Sequence, residues 1–174
     1  MKYLVKFFVI TLLFFQFTNV FAQENIMYID MKFILNSSSA GKNAQKALEK
    51  IHSTSLEKFK KTEESLKDEE TLLLSKKKLI KKEDYEKLAK DLRKKVMTYQ
   101  ADRRLKNEEI TKKRSSARAQ LLEAINPILA EYTSSNNISI ILDKQNIVIG
   151  KTELDITNII LQKLNKKLPK ISLQ

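Results

Sequence analysis

The side chains able to do chemistry in this 174-residue chain are few and scattered. There is one histidine, His52, and no cysteine, so a metal lacks a second soft ligand and nucleophilic catalysis lacks its usual partners. His52 lies four residues after Leu48 and beside Ile51, at the edge of an apolar helical stripe, where a structural role is expected. The acidic pairs Glu63-Glu64, Glu69-Glu70 and Glu108-Glu109 are adjacent in sequence. Helical neighbours diverge by about 100° and do not converge on one substrate, so surface ion pairing is their expected use. No Gly-rich phosphate loop or nucleophile motif occurs. The expectation is a protein that is not an enzyme, with no catalytic residue, cofactor or metal site.

What remains is charge. Lys and Arg number 33 against 21 Asp and Glu, a formal net charge of +12, which favours anionic partners. The basic clusters are Lys76, Lys77, Lys78, Lys81 and Lys82, with Lys112, Lys113 and Arg114 further on. The bland use of such a run is a solvated helix face. Arginine occurs only at positions 93, 103, 104, 114 and 118, whereas phosphate recognition leans on its bidentate fork.

The elements that must carry these residues begin with a leader. Lys2 and Lys6 precede the apolar run Phe7 to Phe17, and Val20 and Ala22 supply small residues at cleavage offsets. This reads as a signal peptide over residues 1–22, cut after Ala22. The rival, an uncleaved membrane anchor, needs an apolar run of about 20 residues. Without a cysteine there is nothing to acylate. Removal of the leader takes the net charge from +12 to +10.

Only two glycines and two prolines interrupt the chain, a composition suited to long helices. After the N-cap candidates Asn36-Ser37-Ser38-Ser39, apolar residues fall at Ala44, Leu48, Ile51, Phe59, Leu66 and Leu73. The positions recur every eleven residues, Leu48 to Phe59 and Ser55 to Leu66, and again as Tyr85 to Val96, Leu88 to Tyr99, Tyr99 to Ile110 and Ile110 to Leu121. Eleven residues are about 3.67 per turn, the period of a nearly straight seam. Two matched seams predict an antiparallel helical hairpin over 37–121, with its tip near 79–83 and arms of roughly 60 Å. Its second seam is thin, carrying Arg103 and Arg114 where a stable coiled coil would place Leu or Ile. Phe59, Tyr85 and Tyr99 are expected to pack in the seam. Leu72 and Leu74 flank Leu73 and are expected to be more exposed.

Around the arm, residues 23–36 and 122–174 read as a small β-rich body. Strands are expected near 26–30, 138–142 and 147–149, the last two as a hairpin across Lys144-Gln145-Asn146. A kink is expected at Pro127, and a last helix near 155–168, capped by Asp155. A small three-stranded sheet is marginal alone, so self-association is expected through Ile26, Tyr28, Ile138, Ile140, Leu142, Ile147 and Ile149.

Taken together, Ile26-Met27-Tyr28-Ile29-Asp30, Asn126-Pro127-Ile128-Leu129, Ile138-Ser139-Ile140-Ile141-Leu142-Asp143 and Asp155-Ile156-Thr157 ahead of the amphipathic Ile159 to Leu164 resemble the Skp/OmpH family of periplasmic chaperones. The resemblance covers the whole chain after the leader. It implies an α+β fold, mainly helical, with a β-barrel-type body and long hairpin arms in a jellyfish-shaped trimer. It also implies an ATP-independent holdase for unfolded outer-membrane proteins, with Leu72 and Leu74 as the expected client contacts, and arm contacts with lipopolysaccharide or anionic membrane for which Lys76, Lys77, Lys78, Lys81, Lys82, Lys112, Lys113 and Arg114 are the candidates. The alternative of another class is a structural envelope protein whose basic arms bind anionic surfaces. Nucleic acid would suit the charge alone, but export removes the chain from that ligand.

Overall fold

The computed structural model describes residues 25–173, so the expected leader and its cut after Ala22 lie outside the described residues. The chain runs β1 (Asn25–Ile29), α1 (Met31–Ser37), α2 (Ser39–Lys76), α3 (Lys82–Ser135), β2 (Ile138–Asp143), two 3-10 turns (Lys144–Asn146 and Thr152–Leu154) and α4 (Thr157–Lys167).

β1 and β2 pair in parallel, Ile26 opposite Ile140 and Tyr28 opposite Leu142, so the whole hairpin is the crossover between them. On its other side β1 makes a single parallel bridge from Tyr28 to Asp155, closed by the Ile156 N–H donating to the Tyr28 carbonyl at 3.0 Å. Alternation along the strands turns Met27, Ile29 and Ile141 inward and leaves Ile26, Tyr28, Ile140 and Leu142 on the outer face. The core joins Ile29 to Ile34 and Leu35 of α1, Leu121, Ile125 and Ile128 of α3, and Ile156, Ile160 and Leu164 around α4.

The expected strand at 147–149 and its hairpin with β2 are not formed. The Asp143 carboxylate accepts from Gln145 N–H, and Ile147 N–H donates to the Lys144 carbonyl, which tightens the chain into a 3-10 turn. The segment then returns to the outer face of the sheet, where the Gly150 backbone lies against the Tyr28 ring. Tyr28 Oη donates to the Lys151 carbonyl, and Lys144 pairs with Asp155 at 3.1 Å. These contacts hold the segment over the sheet instead of along its edge.

Helix α1 was not anticipated within the first strand's surroundings. Asp30 caps it, accepting from Phe33 N–H at 2.7 Å. Ser38 then breaks the helical path with ψ 151° and caps α2, its Oγ accepting from Gly41 N–H. Gly41 is obligatory here, because a Cβ would collide with the Leu35 carbonyl oxygen of the preceding helix. α3 passes through Pro127 without ending. Pro127 and Glu123 both face solvent, so water can satisfy the Glu123 carbonyl that the missing N–H leaves free.

Candidate functional site

α2 and α3 lie against each other as the two limbs of the arm, and their lengths correspond to about 57 and about 81 Å of helix. Half-buried positions on α2 are 51, 55, 59, 62, 66, 69, 73 and 76, the alternation of threes and fours that an eleven-residue repeat requires. Full burial stops early. α2 buries nothing beyond Leu48, and α3 buries nothing before Ile110.

The second seam differs from its expected form. Arg103 and Arg114 are exposed, and the inward positions between Tyr99 and Ala117 are Lys106, Ile110 and Lys113. Leu88 is exposed as well, and Ala89 takes the seam in its place. Lysine manages this because its four-carbon stem packs while the ammonium reaches out. Lys106 donates to Glu109 at 2.7 Å, and that bond, opposed by partial desolvation, holds the Glu109 carboxyl below its ordinary range.

In the middle of the arm Phe59 meets Tyr99 edge to face, with ring centroids 6.0 Å apart. Tyr99 Oη donates to Glu63 at 2.8 Å, and the Arg103 guanidinium lies 5.6 Å from the ring centre while donating to the same oxygen. Desolvation and then the acceptor Glu63 raise the Tyr99 hydroxyl above its ordinary value. Lys95 and Glu69 form the cross-arm ion pair nearer the tip at 2.7 Å.

Two grooves flank the distal seam. The larger, about 680 Å³, has Leu66, Leu73, Tyr85, Ala89, Leu92 and Val96 as its apolar wall and Glu63, Lys67, Glu70 and Arg93 at its charged edge. Leu74 lines this groove, whereas Leu72 lines the smaller one on the other flank with Leu88 and Lys76. The two expected client-contact leucines are therefore both exposed but do not share a surface. Leu79 in the tip turn is 81% exposed, and Leu56, Met97 and Leu105 are exposed along the arm. These were missed because a periodic reading discards apolar residues off the seam. Their off-seam placement was the available signal.

The basic clusters divide too. Lys77, Lys78 and Lys81 are exposed around Leu79 at the reversal. Lys76 is half-buried and Lys82 lies 3.9 Å from Glu86. Lys112, Lys113 and Arg114 diverge around α3 and do not form one patch. The Lys113 side chain is only 19% exposed, lies 3.9 Å from Glu109 and donates to the Leu173 carbonyl.

On the body, Ile26, Ile140 and Leu142 are exposed on one sheet face, beside Val148 and Ile149, which are almost wholly exposed. Tyr28 and Ile138 are buried within the chain, and Ile147 is half-buried. The Asp155 carboxyl is driven up by burial, but hydrogen bonds from Thr157 and Lys144 outweigh this and hold it low. The same bond raises Lys144 above its ordinary value. His52 is exposed at the root of the arm near Arg114. No cluster of three metal-ligating side chains occurs, and no helix is long and apolar enough to cross a membrane, among the described residues.

A family described as outer membrane protein (OmpH-like) matches residues 25–164. A crystal structure described as "a putative outer membrane chaperone (OmpH-like) from Caulobacter crescentus CB15" superposes with a TM-score of 0.79 at 19% identity, covering 87% of this chain and 89% of that one. At that identity the likeness is one of fold. No curated protein matches the chain.

Proposed function

This chain belongs to the OmpH-like outer membrane protein family, and we propose that it is an ATP-independent holdase which binds unfolded outer-membrane proteins in the periplasm and prevents their aggregation before insertion. The observation that carries this reading is the distal arm. It offers an open, apolar-walled groove edged by both signs of charge, on limbs whose seam is only half buried. Such a surface suits many weak contacts with an extended chain, and a thin seam lets the limbs adjust to cargo size. Leu74, from one flank, and Leu72, from the other, are the proposed client contacts, joined by Leu79 at the tip.

The reading includes export by a leader cleaved after Ala22, no enzymatic activity, and assembly into a trimer. The apolar outer face of the body supports self-association, since Ile26, Ile140, Leu142, Val148 and Ile149 are exposed together around a two-stranded sheet that is marginal alone. A second reading, binding of lipopolysaccharide or anionic membrane, rests on the exposed Lys77, Lys78 and Lys81 around Leu79.

The deciding experiment dilutes a urea-denatured outer-membrane β-barrel protein into buffer with the leaderless protein. Light scattering is expected to fall to a low plateau near one trimer per client. Scattering unchanged by the protein, together with binding to anionic vesicles that moderate salt abolishes, would replace the holdase by the surface-binding reading.

A further inference from the structure

The seam between α2 and α3 has two flanks at the arm root, and they are treated differently. At about 100° per residue, Lys113 and Gln120 of α3 lie on one side of the line Ile110, Ala117, Leu121, and Arg114 and Arg118 lie on the other. The chain's own C-terminal segment lies along the first side. Leu168 and Ile171 pack against the core, Gln120 Nε2 donates to the Ser172 carbonyl at 3.1 Å, and Lys113 Nζ donates to the Leu173 carbonyl at 3.4 Å. An extended segment is thus held by seated apolar side chains and by long polar side chains that grip its carbonyls.

The second flank is open. A groove of about 380 Å³ runs there over the buried Ala44, Leu48, Ala117 and Leu121, where the alanines leave room that larger residues would fill. Arg114 and Arg118 stand on its edge one turn apart. Neither has an ion pair or a side-chain hydrogen bond among the described residues. A guanidinium carries five donors and no acceptor, so this pair lacks what carbonyl or carboxylate oxygens supply. Glu49 on the facing limb lines the same groove and is likewise unpaired, leaving the edge with an excess of positive charge.

We propose that this open flank holds an extended apolar segment of an unfolded chain, its side chains over Ala44, Leu48, Ala117 and Leu121 and its carbonyl or terminal carboxylate oxygens on Arg114 and Arg118. The proposal rests on the holdase reading and adds to it a defined grip point at the arm root, distinct from the diffuse distal surface. The C-terminal segment on the opposite flank is its internal counterpart.

The test uses the full assembled protein with Gln45, exposed on the groove edge, replaced by p-benzoylphenylalanine, and separately with Leu74 replaced. A urea-denatured outer-membrane β-barrel protein is the probe. Crosslinks are expected at both positions. Arg114→Gln combined with Arg118→Gln should reduce the product at position 45 by fivefold or more and leave that at position 74 within twofold. Equal product at position 45 in the double variant, or product at position 74 alone, overturns the groove and leaves the holdase standing. No product at either position, with scattering unchanged, overturns both.

Discussion

The body and the distal arm are built from the same helix yet held in opposite ways. α3 carries Ile125 and Ile128 into a closed core at one end and only half-buried residues at the other. In the body, Ile34, Ile125, Ile160 and Leu164 are fully enclosed, so any displacement opens a cavity. Along the distal arm every seam residue keeps contact with solvent, and a shift of one limb costs little buried area. Stability is thus concentrated where the chain ends meet, and deformability where a client would be held.

That contrast breaks most directly at Ile125. Ile125→Ala should cost about 2–5 kcal/mol in urea unfolding, whereas Val96→Ala on the arm should cost about 1 kcal/mol or less. Equal losses would mean the arm is as tightly packed as the body. The junction comes next. Gly41→Ala forces a methyl onto the Leu35 carbonyl oxygen and should cost about 1–3 kcal/mol, with a lower melting temperature as the readout.

The cap position of α4 falls to Ile156 and not to the expected Asp155, whose carboxylate instead receives the Thr157 N–H from one residue earlier; Asp155→Ala removes that bond and should cost about 1 kcal/mol. Its sign with pH follows from the lowered Asp155 value. The stabilisation is complete above the unfolded carboxyl range near ~4 and is lost as pH falls through the lower folded value. Lys144 acts oppositely, its raised value giving stabilisation below about 10.4 that is lost as pH rises through the folded value. Urea midpoints between pH 2 and 7 should therefore depend less on pH in the Asp155 variant. Parallel curves for the two proteins would deny the carboxylate this role.

The smallest effect is expected on the arm surface. Lys95→Ala breaks an exposed pair with Glu69 and should change stability by about 0.2–1 kcal/mol. The sharper measurement there is hydrogen exchange. Amides from Tyr99 to Glu109 should exchange well before those around Ile125, and uniform strong protection through the arm would contradict a deformable seam.

The arm was the most legible part of the molecule, because a helix exposes its burial pattern in residue spacing. Leu48, Ile51, Phe59, Leu66 and Leu73 dictate which face turns inward whatever lies opposite. Spacing was less able to identify the seam where long polar side chains occupy it. Arg103 and Arg114 satisfied the count, but Lys106 and Lys113 turned inward; Glu109 is within one turn of both, whereas the Leu173 carbonyl that Lys113 also reaches is supplied only by the fold. The two leucines beside Leu73 were recognisable as exposed and, at about 100° per residue, as lying on opposite flanks; that each flank carries its own groove came only with the fold.

The sequence by itself determined the helical arm, its eleven-residue seam and the presence of strands near 26–30 and 138–142, which the fold sets at Asn25–Ile29 and Ile138–Asp143. Only the tertiary structure decided that β1 and β2 lie parallel, that residues 147–149 form no strand and lead into Gly150 and Lys151 at Tyr28, and that Ser38 caps α2 beside Gly41. The physical reason is range. Helix periodicity is set by neighbours within a turn, whereas strand partners and loop paths depend on residues more than a hundred positions away, such as Tyr28 with Lys151 and Asp30 with Thr157.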